Sequence, residues 1–440
     1  MRTETDSLGE RRLQDGDLIG INTLRASENF SLNYKRTNMD LIYAIVKVKR
    51  AAAVTYRKLN IRPDVYEYVI LACDEVLAGK HDKWFCLDAL QGGAGTSTNM
   101  NVNEVLANAA LILCGRNPGY YEEIHPLNDI NRGQSTNDVY PTALRIAAIE
   151  KLRILSEECA KLQEALQKKE NQYEEIRKLG RTELMDAVEI TLGEEFGAYA
   201  QAIGRDRWRI YKIEERLRQV NIGGTAVGLS DTAARKYRFG IIEELRRSTG
   251  IGLAAAEYPM DITQNNDVFV EVSGLLKALA VNLSKIAGDF RLMNSGPYGG
   301  LGEIRLKALQ QGSTIMPGKV NPVIPEMTIQ AAIQVMANDS AISMAASRGE
   351  FELNAFLPLI ADNLLGSLEL LQNTVRLFRE KCVELLEANE ERCKQHLNQA
   401  AYFGVQYIEA LGYDTVSHII TEYEPEKAKE ILEQKISRSE

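Results

Sequence analysis

Histidine is scarce in this chain: four in 440 residues, at His81, His125, His396 and His418, with no spacing that suits a zinc site or a catalytic triad. The six cysteines, at 73, 86, 114, 159, 382 and 393, include no Cys-x-x-Cys pair, so they read as reduced, mostly buried thiols rather than a disulfide framework. No apolar run reaches the roughly 20 residues a membrane helix needs, and the polar N-terminus has no signal-peptide core. The expectation is a cytoplasmic protein without membrane association. Lys and Arg form no blocks, and the formal net charge is -9, which argues against nucleic acid as a partner. No Gly-Lys-Ser/Thr phosphate loop or dinucleotide fingerprint occurs at the main glycine run, and no metal or organic cofactor is implied.

What the chain does have is helical periodicity. Long patterns run from Ser135 to Leu179, where Gly180 stops them, from Gly193 to Val220, from Asp231 to Gly250, from Asn265 to Leu292, from Glu326 to Ser347 and from Leu364 to Ala388. Strand patterns are few. The expected fold is mainly α: an elongated central helical bundle over residues 138–388, with a smaller N-terminal domain over 1–137 and a short C-terminal domain over 389–440. Apolar stripes on such long helices point to core or subunit interface, and charged runs such as Arg205-Asp206-Arg207-Trp208-Arg209 to a solvated face.

Three polar segments stand out. In Gly312-Ser313-Thr314-Ile315-Met316-Pro317-Gly318-Lys319-Val320-Asn321-Pro322, a hydroxyl, an ammonium and an amide share one glycine-hinged loop. Glycine freedom and proline restriction together suit a loop that closes over a ligand and reopens, although composition alone does not separate that from a surface turn. Gly92-Gly93-Ala94-Gly95-Thr96-Ser97-Thr98-Asn99-Met100-Asn101 precedes a helical pattern from Asn103 to Gly115. Gly133-Gln134-Ser135-Thr136-Asn137-Asp138 opens another, with Pro141 expected in its first turn. A helix start favours an anion through its unpaired N–H groups, and also accommodates plain N-capping by Ser, Thr or Asn. Taken with the lysine loop, the two clusters suggest a pocket for a small molecule with two carboxylates.

These segments resemble the three signature regions of the aspartase/fumarase superfamily, more its aspartase and class II fumarase branch than the argininosuccinate or adenylosuccinate branches. The likeness extends from Gly20-Ile21-Asn22-Thr23-Leu24-Arg25-Ala26-Ser27-Glu28-Asn29-Phe30 through Gly223-Gly224-Thr225-Ala226-Val227-Gly228 to the lysine loop, and the opening segment is similar to aspartases in particular. The resemblance implies reversible elimination across fumarate, in which ammonia leaves in aspartases and water in fumarases. It further implies a homotetramer joined through the central bundle, whose active sites each draw on three subunits.

Carried over by position, Ser313 matches the loop serine that takes the proton, and Lys319 and Asn321 the pair that grips one carboxylate. Thr96, Ser135, Thr136 and Asn137 match residues that hold the other carboxylate and the leaving group, and Thr182 another binding hydroxyl. Lys319, Arg25 and Arg181 are the candidates for drawing in a dianion against the negative net charge. Ser295-Gly296-Pro297-Tyr298-Gly299-Gly300-Leu301-Gly302-Glu303-Ile304 fits the family pattern and reads as a tight turn.

The departure lies at Glu183, in Gly180-Arg181-Thr182-Glu183-Leu184-Met185. Fumarases carry His there, aspartases Gln or His, and a proline is usual where Glu189 stands. Glu326 matches the glutamate that contacts that His in fumarases, so two carboxyls are expected to face each other. Glu183 is then either protonated and donating, or ionised against the substrate ammonium or a cationic amine substituent, or turned aside onto a neighbour such as Arg181. The leading expectation is an aspartate ammonia-lyase-like carbon-nitrogen lyase; the alternatives are a fumarase-type hydro-lyase and a catalytically silent helical scaffold.

Overall fold

The computed structural model describes residues 1–229 and 235–437. In chain order the elements are β1 (Arg2–Asp6), β2 (Gly9–Leu13), α1 (Ile21–Asn29), α2 (Met39–Lys58), α3 (Pro63–Leu77), α4 (Thr96–Leu113), α5 (Thr136–Gln172), β3 (Arg177–Thr182), β4 (Met185–Thr191) and α6 (Leu192–Leu217). There follow β5 (Gln219–Val220), α7 (Arg235–Thr249), β6 (Ala254–Ala255), α8 (Pro259–Gln264), α9 (Asp267–Met293), β7 (Ile304–Arg305), α10 (Val323–Ala346), α11 (Leu357–Phe378), β8 (Glu387–Ala388), α12 (Glu390–Gln399), α13 (Ile408–Leu411), α14 (Tyr413–Glu422) and α15 (Pro425–Ser437). The mainly helical class expected from periodicity is what forms. Among the described residues the strands make only two-stranded sheets: β1-β2, β3-β4 and β7-β8 antiparallel, β5-β6 parallel.

Two compact units divide the chain: residues 1–156, 209–278 and 334–371 form one, and residues 157–208, 279–333 and 372–440 the other. In the first, α2 shows why such sequences become helices. Asn38 caps it by accepting the Asp40 N–H (2.9 Å), Asp40 sits in its first turn, Arg57 and Lys58 in its last, and the apolar positions between are buried. Tyr56 on this helix stacks between Tyr66 of α3 and Tyr237 of α7, with ring centroids 5.2 and 4.7 Å away. In the second unit the core centres on Phe196, Tyr199, Phe290 and Phe378, and a separate apolar cluster of Phe403, Tyr407, Val416, Ile419, Ala428 and Leu432 ties the C-terminal helices together.

Several boundaries differ from those expected. The long helix stops at Gln172 rather than Leu179, because the sequence from Arg177 to Thr191 pairs with itself as the β3-β4 hairpin. Glu183 and Leu184 both have positive φ (53° and 66°), which gives this hairpin a two-residue turn matched to strand twist but without the Asn-Gly that normally announces one. Helix α4 begins at Thr96, seven residues before the expected Asn103, and its Asn99, Asn101, Asn103 and Asn108 side chains are buried. Helix α11 runs from Leu357 to Phe378 instead of from Leu364 to Ala388. The expected start of α7 at Asp231 lies outside the described residues. Pro141 stands inside α5, beyond the first turn. The N–H it lacks is the one that Asn137 O would normally receive, and Asn221 Nδ2 donates to that carbonyl instead (3.0 Å).

Candidate active site

The first unit brings Thr96, Ser135, Thr136 and Asn137 to two neighbouring helix starts. Gly95, the residue before α4, has φ +90° and lies so close to the Tyr140 ring of α5 that a Cβ there would overlap it. Thr96 is exposed and donates its hydroxyl to Gly93 O (2.7 Å), while Asn99 Nδ2 donates to Thr136 Oγ1 (3.1 Å) and so links the two helices directly. Ser135 Oγ accepts the Asn137 N–H (3.2 Å), and Asn137 Nδ2 reaches Ala226 O (2.8 Å) in the Gly223–Gly228 segment. The grouping of hydroxyls and amides at helix starts is therefore present as expected, with the α4 cluster inside the helix rather than ahead of it.

Beneath these groups lies a polar layer that sequence reasoning did not assign. Asp138 is fully buried; one carboxylate oxygen accepts the Ser135 N–H (2.9 Å) and the other the N–H groups of Gly223 and Thr225 (2.9 Å each). Burial pushes its carboxyl up to about 7, opposed by those three backbone donors and by Lys49. Burial likewise pulls Lys49 down to about 7, against the attraction of Asp138. Lys49 Nζ donates to Asn131 Oδ1 (2.8 Å), which also accepts from Asn99 (3.1 Å) and Asn103 (3.2 Å). The signal available in sequence was the Ser135-x-x-Asp138 capping pattern and four closely spaced asparagines on what proves to be a helix.

In the second unit, Ser313, Lys319, Asn321 and Glu326 follow one another along a loop and into α10. Backbone N–H groups of Ile315 and Met316 donate to Ser313 Oγ (3.3 and 2.9 Å). Asn321 Nδ2 closes the base of the loop onto Gly312 O (2.6 Å), and Gly312 lies against the Lys319 carbonyl too closely for any Cβ. Lys319 is exposed and forms no ion pair among the described residues, and Ile315, Met316 and Val320 are exposed apolar side chains of the same loop.

Thr182 and Glu183 occupy the exposed tip of the β3-β4 hairpin. Glu183 lines a cavity of about 280 Å³ with Lys178, Arg181, Glu195, Lys285 and Asp289. Glu326, in the first turn of α10, forms no hydrogen bond with Glu183 among the described residues and stands 3.9 Å from Arg291. Nor does Glu183 pair with Arg181, whose guanidinium is 2.8 Å from the buried Glu303 carboxylate. Arg25 is also committed elsewhere, donating two 2.8 Å hydrogen bonds to Asp6, so Lys319 is the one of the three steering candidates without a carboxylate partner among the described residues.

Each histidine also has a partner. His125 Nδ1 accepts the N–H groups of Leu127 and Asn128, and His81, His396 and His418 face Glu75, Glu303 and Glu422. Among the described residues no three His, Cys, Asp or Glu side chains are grouped as metal ligands would be, and all six cysteines are free. Among the described residues no helix is long and apolar enough to cross a membrane.

A family model described as "Lyase" matches residues 9–337. The chain belongs to this lyase family. Among curated relatives of this lyase, aspartate ammonia-lyase from Bacillus sp is 42% identical over 423 residues, covering 96% of this chain and 90% of the relative. The aspartate ammonia-lyase of Helicobacter pylori strain J99 is 40% identical over 425 residues, 96% and 91% of the two chains. Among solved structures, a fumarate lyase:delta crystallin from Brucella melitensis bound to cobalt superposes with a TM-score of 0.92 at 43% identity, over 100% of this chain and 95% of that one. A class II fumarase from Schistosoma mansoni gives 0.92 at 31% identity, over 96% and 92%. The aspartase/fumarase resemblance read from the three segments is thus borne out, and this lyase is a carbon-nitrogen lyase.

Proposed function

We propose that this enzyme catalyses the reversible β-elimination of ammonia from L-aspartate to give fumarate, with Ser313 as the base. The observation that carries this reading is the pair of backbone N–H groups aimed at Ser313 Oγ within a hinged, exposed loop. A serine hydroxyl alone is far too weak a base for a carbon acid. Two fixed donors favour its alkoxide, and loop closure over substrate removes the water that would compete. The names of the curated relatives support aspartate as substrate.

In this reading Ser313 Oγ takes the Cβ proton, and the electrons of that bond delocalise into the adjacent carboxylate as an enolate-like dianion. Collapse of the dianion forms the carbon-carbon double bond and expels ammonia from Cα with the electrons of the C–N bond. Stabilising the dianion is the main task, and each preorganised donor aimed at it contributes roughly 3 kcal/mol. Lys319 and Asn321 serve one carboxylate, and Asn321 exchanges its bond to Gly312 O for substrate. Thr96, Ser135, Thr136 and Asn137 hold the other carboxylate and the ammonium, with Thr182 as a further hydroxyl and Glu183 and Glu326 as the acidic residues. A homotetramer with shared active sites, which the family resemblance implies, is part of the proposal.

Proton NMR of the enzyme with fumarate and ammonium in heavy water tests it. Aspartate deuterated at Cβ is the expected product; malate would move the reaction to the fumarase type, and untouched fumarate would refute aspartase activity. Ser313→Ala should abolish turnover while the fold persists, and retention of more than about one part in a hundred of kcat would remove Ser313 from the role of base.

A further inference from the structure

We propose that Glu303 is a positioning residue that sets the tip of the β3-β4 hairpin, and with it Thr182 and Glu183. The inference rests on the reading above that the tip meets substrate. Glu303 lies in the glycine-rich segment read from sequence as a tight turn, yet its carboxylate is completely buried and faces two cations and a histidine. Lys178 Nζ and Arg181 Nη2 each stand 2.8 Å from it, and His396 Nδ1 is at 2.9 Å. Burial opposes its ionisation, but Lys178, His396 and Arg181 outweigh that and hold the carboxyl below its usual range.

The strand geometry makes this arrangement informative. Residues 178 and 181 of a regular strand point to opposite faces, because side chains alternate with a period of two. Between Leu179 and Arg181 the β3-β4 register shifts, and at Gly180 a Cβ would come within 2.8 Å of Val188 O. This irregularity turns Lys178 and Arg181 onto one carboxylate. Bulges re-aim side chains in this way, and here the residue that follows is Thr182. Glu303 is itself fixed from both sides. Its N–H donates to Met293 O (2.8 Å), its carbonyl accepts the Asn389 N–H (2.8 Å), and Ile304 pairs with Ala388. His396 on α12 adds a third element to the same group.

A buried ion cluster of this kind is weak evidence for stability, since apolar replacements often hold a fold as well or better. What it supplies is one defined geometry for the bulge, and through it the direction in which the tip projects.

The test is a double-mutant cycle on aspartate deamination, followed through the ultraviolet absorbance of fumarate, in the full-length assembled enzyme. Glu303→Gln keeps the shape and removes the charge. The expected result is a fall in kcat/KM of about 10²-fold, the scale of an ångström misplacement. Hydrogen exchange should quicken at the 182–185 amides while that of α6 stays unchanged. In a background carrying both Thr182→Ala and Glu183→Ala the same change should cost little more, because the groups it positions are already gone. Equal costs in both backgrounds, or a lowered Tm with unchanged kinetics, overturn the positioning role. Full activity of Thr182→Ala alone instead sinks the reading that the tip meets substrate. Should Glu303→Gln fail to fold, Arg181→Gln and Arg181→Lys replace it: loss in the first and partial recovery in the second are expected, and equal loss in both refutes the idea.

Discussion

Replacing Asp138 by Asn should have an effect on stability that grows with pH. The carboxylate serves three backbone donors, one oxygen taking Ser135 N–H and the other those of Gly223 and Thr225. An asparagine has one acceptor oxygen, and its less costly orientation keeps Gly223 and Thr225 and turns the amide NH₂ toward Ser135. One buried N–H then loses its partner, at about 1–3 kcal/mol. Against this stands the cost of the buried charge. The folded carboxyl is raised to about 7 from 3.8, so the stability it lends is full below the unfolded value, is lost progressively as pH rises between the two, and is gone above about 7. That loss totals about 4 kcal/mol above pH 7, of which about 2 kcal/mol is already incurred at pH 5. The neutral amide never incurs it. Asp138→Asn is therefore expected to be close to wild type in stability at pH 5 and more stable by about 1–3 kcal/mol at pH 8, on the sum of these figures. Urea unfolding of both proteins at the two pH values measures the difference. A variant that is destabilised more at pH 8 than at pH 5 would refute the account, and would mean that the anion, rather than its hydrogen bonds, holds the Gly223–Gly228 segment to α5.

Substitutions at three further positions probe the site and the fold around it. Gly95→Ala puts a methyl into the Tyr140 ring at φ +90° and should destabilise by about 2–4 kcal/mol while raising KM for aspartate; unchanged Tm and KM would show that the α4 and α5 starts are not packed as described. Glu104→Ala leaves the buried N–H groups of Gly20 and Thr23 and the Thr23 hydroxyl without the acceptor they share, a loss of about 3–6 kcal/mol by urea unfolding, and Glu104→Gln, which keeps one acceptor, should lose less than half of that. Glu183→Gln, at an exposed turn, should move stability by no more than about 0.5 kcal/mol. Its deamination rate should fall if the carboxylate meets a cationic amine, and an unchanged or raised rate would exclude that role.

How far the sequence could be read depended on what kind of physics each segment uses. Helices α6, α9 and α10 bury apolar residues at helical spacing, and periodicity locates them within a few residues. Helix α4 escaped at its start because Thr96 to Asn103 is polar, and polar residues of that kind ordinarily favour caps and turns. Here Asn99 and Asn103 instead spend their amides on Asn131 and Thr136, partners 28 to 37 residues away that no local pattern reveals. The β3-β4 hairpin was hidden for the opposite reason: its charged, lightly apolar sequence extends the α5 pattern, and its turn uses Glu183 and Leu184 where glycine or asparagine would have marked it.

The same distinction separates the legible half of the site from the other half. Hydroxyls, amides and a lysine in glycine-bounded segments are visible in sequence because their chemistry is carried by residue type at short spacing. The groups that hold them are different. Asp138, Lys49 and Glu303 are ionisable residues buried where sequence statistics place such residues on the surface, and each is tolerated only because several donors or a counter-charge converge on it in three dimensions. A buried carboxylate on which donors from separate segments converge is costly to assemble by any other packing, so it restricts the geometry of the loops it joins. Ser135 to Asn137 are held to the Gly223–Gly228 segment by one such carboxylate, and Arg181, next to Thr182, is held by another. The precision of the proposed site, built mostly from small hydroxyls and amides, therefore resides in the buried carboxyl groups beneath it.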